Sequence, residues 1–275
     1  MTALQVDIVT LFPEMFRGAF EHSILARASA AGRVDVRLHD LRAFGLGVHA
    51  QVEDSPFGGG AGMVIRPEPL FAANEAVTGH AAGERVEGEA IVLLSPAGRP
   101  HDQRSARRYA RLSRLVLICG RYEGVDERVR EHACTESLSV GDFVLSGGEP
   151  AALCVVDSVV RLLPGVLGND ESATFESHES GLLEAPHWTR PAEFRGWGVP
   201  QTLLSGNHAA IDRWRREESL RLTARMRPDL LERAQAEGLV EAKEVRRFDT
   251  GRLTRETMDD GTIMNERAAP AGRSD

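Results

Sequence analysis

The stretch AIVLLSPAGRPHDQRSARRYARLSRLVLICGRYEGVDERV, Ala90–Val129, decides the fold class. Ala90–Leu94 and Arg114–Cys119 are short, nearly unbroken apolar runs. Such runs suit strands buried on both faces, as in a parallel sheet between helices. Between them, Ser95–Pro100 reads as a turn, and Asp102 is placed to cap a helix to about Leu112. After them come the loop Gly120–Gly124 (GRYEG), a helix near Val125–Ala133 and a short strand Cys134–Ser139. Strands alternating with helices give an α/β domain with a mainly parallel sheet. Ligands of such sheets gather at the carboxyl ends of strands. That rule singles out three loops: Leu94–Gly98, Gly120–Gly124 and Val140–Pro150.

The same alternation extends toward the N-terminus. Gln5–Phe12 reads as a buried strand, and Pro13 can open a helix to about Ser29. Val34–His39 alternates with period two, a second strand, and Ala43–Gly62 is irregular. Met63–Ile65 is a short strand, and Pro67 sits at the first turn of a helix to about Val77. The glycine-rich run at 58–62 has neither the Walker spacing nor GxGxxG, and alone it reads as a flexible surface loop. In the other direction, Ala151–Leu163 is a helix apolar almost all round, ended by Pro164. Its exceptions, Cys154 apart, are Asp157, Ser158 and Arg161. Such a helix belongs in a core or a subunit interface. Asp157 and Arg161 share a face, and charges there are costly unless partnered or used. We therefore expect a homodimer buried along this helix.

Beyond Pro164 the character changes. Gly165–Ser180 is polar without a period and reads as a linker. A helix follows from about Asn207 to Arg227, another opens at Pro228 or Asp229, and no strand pattern is convincing. The small, polar tail from Met258 reads as disordered. Net charge is −8, which globally argues against nucleic acid, yet Pro186–Arg227 holds eight arginines against four acids. Trp188, Trp197 and Trp214 fall in the same stretch, a pattern that suits an RNA backbone. Asp212–Arg216, Arg213–Glu217 and Glu217–Arg221 have the spacing of i,i+4 pairs, which absorbs part of the excess. The apolar stripe Ile211, Trp214, Leu222 and Met226 is interrupted by Glu218. Cys119, Cys134 and Cys154 are widely spaced and imply neither a disulfide framework nor a zinc site. That cysteine usage favours the cytoplasm; no signal peptide is read at the N-terminus, and no apolar run approaches the length of a membrane span. Glu123, in GRYEG at a strand end, is a ligand-facing acid, a solvated loop acid or a partner for Arg121 or Arg128.

Longer motifs occur in order: LFPEMF (Leu11–Phe16), GGGAGM (Gly58–Met63), LSPAG (Leu94–Gly98) and CGRYEGVDERV (Cys119–Val129). GDFVLSGGE (Gly141–Glu149), DSVVRLLPGVLG (Asp157–Gly168), GLLEAPHWTRP (Gly181–Pro191) and VPQTLLSGNHAAIDRWR (Val199–Arg215) follow. From Leu4 to about Leu231 the chain resembles the bacterial tRNA (guanine-N1)-methyltransferases that modify guanosine 37, members of the SPOUT superfamily. The resemblance implies a SPOUT-type knotted parallel-sheet methyltransferase domain followed by a small all-helical C-terminal domain. On this chain that means a methyltransferase domain over 1–167, a linker over 168–180, a helical tRNA-binding domain over 181–257 and a disordered tail over 258–275. It also implies an obligate homodimer with active sites shared between subunits.

By motif position, S-adenosylmethionine would meet Leu93, Leu94, Ser95 and Pro96, then Gly120 and Glu123. It would further meet Val140, Gly141, Asp142, Phe143, Val144 and Leu145, with Gly147 and Gly148. The glycine-rich run becomes part of a lid, and magnesium (Mg2+) is implied without a location. Transfer to guanine N1 needs the N1 proton removed and the charge on O6 stabilised. Glu176 as base and Arg161 at O6 would meet those needs. The family's base is an Asp in a pattern like SATEDS, where this chain has SATFES (Ser172–Ser177). Ser55, Phe57 and Ala151 stand where the family usually shows Arg, Tyr and Pro. The rival readings are a SPOUT methyltransferase of another RNA, which predicts no linker acid, and a non-catalytic RNA-binding protein, which has no need of the LSPAG and GRYEG loops. A dinucleotide oxidoreductase lacks its fingerprint.

Overall fold

The computed structural model describes residues 3–167 and 176–245, so most of the expected linker and the whole expected tail lie outside the described residues. The chain divides into two compact units, 1–173 and 174–275.

The first unit is built on five parallel strands in the order β2-β1-β6-β5-β7. They are β1 (Leu4–Thr10), β2 (Val34–Asp40), β5 (Glu89–Pro100), β6 (Arg114–Cys119) and β7 (Glu136–Ser139). Burial explains the apolar runs. Leu115, Leu117 and Cys119 of β6 face one core, shared with α5 (Glu149–Val160). Val116 and Ile118 face a second core, on the side that holds Leu70 and Ala73 of α2 (Pro67–Thr78) and Val129 of α4 (Glu127–His132). Successive residues of a strand point to opposite faces, so a sheet covered on both sides needs apolar residues at every position. The remaining elements are α1 (Ser23–Ala30), the small hairpin of β3 (Glu53–Asp54) with β4 (Val64–Ile65), and α3 (Gln103–Tyr109).

Several boundaries differ from the sequence reading. Pro13 opens only a 3₁₀ turn, Pro13–Phe16; Gly18 then takes φ +77° and α1 starts at Ser23. Ser95–Pro100 is not a simple turn. The chain leaves register after Leu94 and pairs again at Arg99, with Leu138 facing both. Helix α5 starts two residues early because Pro150 fits its first turn. Its grease is also largely explained inside the unit: Ala151, Ala152, Val155, Val156, Val159 and Val160 pack into the sheet's own core. Only a narrow strip that includes Cys154 and Asp157 is exposed, so the apolar character alone does not demand a partner.

The second unit contains α6 (Gln201–Leu204), α7 (His208–Met226), α8 (Pro228–Ala236) and α9 (Ala242–Val245). It is not entirely helical. Glu193–Phe194 (β8) and Trp197–Gly198 (β9) form a two-residue antiparallel hairpin, too short to show period-two alternation in sequence. Leu182, Leu220, Ala224, Leu231, Ala234 and Val240 make its core. Met226, expected on the apolar stripe, is 59% exposed, because the C-terminal half of α7 turns Leu220 and Ala224 inward instead.

Candidate functional site

The carboxyl ends of β5, β6 and β7 lie side by side, and the loops leaving them are tied together. Gly148 N–H donates to Gly120 O at 2.9 Å, and Arg121 and Gly147 form an isolated antiparallel bridge. Gly148 has ordinary helical angles, φ −77° and ψ −10°, so its backbone would accept any residue. Space forbids it: a Cβ there would lie 2.8 Å from Cys119 Cα and 3.1 Å from Gly120 N. A glycine needed for close approach, rather than for a turn, packs the loop directly on the end of β6. Leu93 and Leu94 are buried, Ser95 and Pro96 emerge from the sheet end, and Phe143, Val144 and Leu145 stand exposed.

A buried charge network anchors this junction. Glu149, fully buried in the first turn of α5, receives Thr10 Oγ1 at 2.7 Å on one oxygen and Arg121 Nε at 2.9 Å on the other. Arg121 also donates to Ser146 O at 3.2 Å and lies 4.4 Å from the centre of the Phe12 ring. A carboxylate at a helix N-terminus is favoured by the helix dipole. Removing either partner would strand the other charge in the protein interior. Thr10, Arg121 and Glu149 thus join β1, the GRYEG loop and the glycine turn. Sequence reading missed all three as site residues, although an acid directly following Gly147–Gly148 at a helix start was a visible signal.

The pairing also bears on Glu123. Both cations proposed to neutralise it are engaged elsewhere: Arg121 with Glu149, and Arg128 with Asp126 at 2.8 Å. Glu123 N–H donates to Met63 O at 3.0 Å, and Ile65 N–H to Gly124 O at 3.0 Å, so the end of the glycine-rich segment docks on GRYEG. Gly62, at φ +86°, passes so close that a Cβ would touch the Glu123 side chain at 2.5 Å.

A family model described as tRNA (Guanine-1)-methyltransferase TrmD matches residues 4–233. The chain belongs to that family. A protein of Dehalococcoides mccartyi (strain ATCC BAA-2266 / KCTC 15142 / 195) named tRNA (guanine-N(1)-)-methyltransferase is 55% identical over 231 residues, covering 84% of this chain and 91% of its own. Proteins of the same name from Brevibacillus brevis and Koribacter versatilis are 53% and 50% identical, covering 84% of this chain and 92% and 94% of their own lengths.

The placement of the expected catalytic groups follows from the fold. Arg161 is the C-cap of α5, whose first turn holds Glu149 and abuts the loops. With α5 spanning 12 residues, Arg161 sits about 18 Å along the axis from that end. One turn before Arg161, Ser158 Oγ lies 2.8 Å from His101 Nε2, and His101 N–H donates to Ser139 O at 2.7 Å, so this end of α5 packs beside the residues that flank the Leu94–Gly98 and Val140–Leu145 loops. Glu176 belongs to the second unit and is half-buried in a turn, its carbonyl accepting from Glu179 N–H at 3.2 Å.

Among the described residues no group of three or more His, Cys, Asp or Glu could hold a metal ion, and no helix is long and apolar enough to cross a membrane. On the arginine-rich helix, Asp212 meets Arg215 where the spacing offered Arg216. Arg215 meets Asp212 at 3.6 Å, Arg221 meets Glu218 at 2.7 Å, and Arg216 binds Glu244 at 3.1 Å and Leu239 O at 3.3 Å. Arg216 thus fastens α7 to the segment leading into α9, a structural use of a residue that sequence offered to phosphate.

Proposed function

We propose that the chain transfers a methyl group from S-adenosylmethionine to N1 of guanosine 37 in tRNA, in the cytoplasm. The loop junction is the observation that carries this reading. Gly148 leaves no room for a side chain beside Cys119 and Gly120, and Leu93–Pro96, Gly120, Val140–Leu145 and Gly147 belong to the three segments that leave the ends of β5, β6 and β7. Those segments, with the exposed apolar Phe143–Leu145 among them, would hold an adenosine and an amino-acid chain. When bound, S-adenosylmethionine supplies a methyl group on a sulfonium that is already activated. The docked segment Gly58–Met63 is the lid over Glu123 in this reading, and the strand register slip at Leu94–Arg99 is where a knotted crossing would lie.

The chain's own residues then have two tasks. Glu176 takes the N1 proton, and Arg161 faces guanine O6, where negative charge collects as that proton leaves. In this reading the enzyme is a homodimer whose active sites are shared between subunits. The exposed strip of Cys154 and Asp157 on α5 is the contact this arrangement requires. Among the described residues no cluster of three or more His, Cys, Asp or Glu forms a cage for magnesium, and no step here uses the ion. The test is methyl transfer from labelled S-adenosylmethionine to tRNA transcripts with G or A at position 37. Labelling of the G transcript alone is expected, and equal labelling of both would overturn the reading.

A further inference from the structure

The second unit contains a cleft of about 420 Å³ that the reaction just described leaves unused. Its walls are the 186–190 segment, parts of the hairpin region and α6, and the N-terminal half of α7. The residues that set its chemistry are Trp188, Arg190, Trp214 and Arg215, over an apolar floor that includes Leu203 and Ile211. No Asp or Glu lines it, in a chain where acids outnumber Lys and Arg by 41 to 33. Trp188 is 48% exposed, which leaves a large part of an indole open to a ligand. Arg215 has only a 3.6 Å contact with Asp212, both side chains more than half exposed, and a pair of that kind contributes little and exchanges readily. The volume is in the range of small-ligand sites and matches one nucleotide, not a helix or a strand of a protein partner.

An indole offers a flat face to any base, and guanidinium groups suit phosphate oxygens. We propose that this cleft holds one unpaired nucleotide of the RNA substrate, its base against Trp188 and its phosphate against Arg190 and Arg215. The assignment rests on the tRNA reading above but concerns a second nucleotide, apart from the one that is methylated. It also gives Trp188 a role that backbone attraction alone does not require.

The experiment uses the full-length protein with S-adenosylmethionine and tRNA transcripts carrying a single abasic site, moved through each unpaired position. At one position, loss of the base should weaken binding about tenfold, the size expected for one base stacked on an aromatic side chain. Trp188→Ala should bind intact tRNA about tenfold more weakly and be indifferent to that same abasic site. Trp188→Phe should restore part of both effects, which a merely unfolded variant cannot do. Arg190→Ala should lower the log–log salt slope of tRNA binding by about one unit. Abasic penalties that are identical in wild type and Trp188→Ala at every position would overturn the proposal, as would occupation of the cleft by a protein with tRNA affinity unchanged. Methylation of intact tRNA by the wild type is scored separately. Its absence would overturn the parent reading, whereas normal methylation without coupling would overturn only the cleft assignment.

Discussion

Glu149→Gln is the most informative single change, because the structure fixes both its cost and its consequence. The substitution keeps the volume and one carbonyl for Thr10, but removes the charge facing Arg121, whose side chain is only 15% exposed. Breaking a buried pair by deleting one partner costs about 3–5 kcal/mol. For a unit of 173 residues this is a fall in Tm of roughly 6–20 °C. Thr10→Val removes one hydrogen bond to the same carboxylate and should cost about 1.5–3 kcal/mol. Urea unfolding gives the stability, and calorimetry with S-adenosylmethionine gives donor affinity. The double variant Arg121→Met/Glu149→Leu separates the two. An apolar pair can recover most of the stability of a buried ion pair. It cannot restore the Arg121 contact with Ser146 O, so the glycine turn should stay loose and donor affinity low. A Glu149→Gln loss below about 1 kcal/mol with unchanged donor affinity would refute the view that this network positions the loops.

Gly148→Ala should weaken donor binding about tenfold or more while leaving helix content intact, since the new Cβ meets Cys119 backbone and not a movable side chain. Glu176→Gln should lower single-turnover methylation by about 10²-fold with tRNA affinity little changed, and Glu176→Asp should retain activity; near-normal turnover by the Gln variant across pH would remove Glu176 as the base. A thiol reagent should leave Cys119 and Cys134 untouched in the folded protein, because burial pushes the Cys134 thiol up to about 12 and Cys119 well above its ordinary value. Cys154 should become reactive only on dilution if α5 forms the dimer contact, so equal reactivity at all protein concentrations would count against that contact. His101 and His80 should give opposite pH signatures. Burial lowers His101, so its unfolded form binds the proton more tightly, and stability attributable to it falls as pH drops below about 6.5. His80 is raised by its contact with the Ala81 carbonyl and by Glu89, so its contribution is present below about 6.5 and lost as pH rises through the folded value. In unfolding measurements at pH 5.5 and 8, His80→Gln should destabilise more at the lower pH and His101→Gln less.

Sequence by itself was enough for the parallel α/β architecture and the family. Ala90–Leu94 and Arg114–Cys119 could be read as doubly buried strands because a covered sheet requires apolar residues on both faces. Motif order from Leu11 to Arg215 was specific enough to indicate a tRNA (guanine-N1)-methyltransferase before any coordinate was known. Other features were decided only in three dimensions. The Thr10–Glu149 hydrogen bond joins residues 139 apart, and no local pattern shows which of several acids Arg121 will choose. Gly148 looks like a turn glycine in sequence; only the position of β6 reveals that it is small because Cys119 is already there. The apolar helix α5 suggested a subunit interface, yet tertiary packing spends most of that surface on its own sheet. Ser158, one turn before Arg161, lies against His101, a neighbour 57 residues away that no local pattern shows. Hydrophobic pattern and motif are local properties of a chain, whereas pair choice, close approach and distance depend on where the rest of the chain has gone.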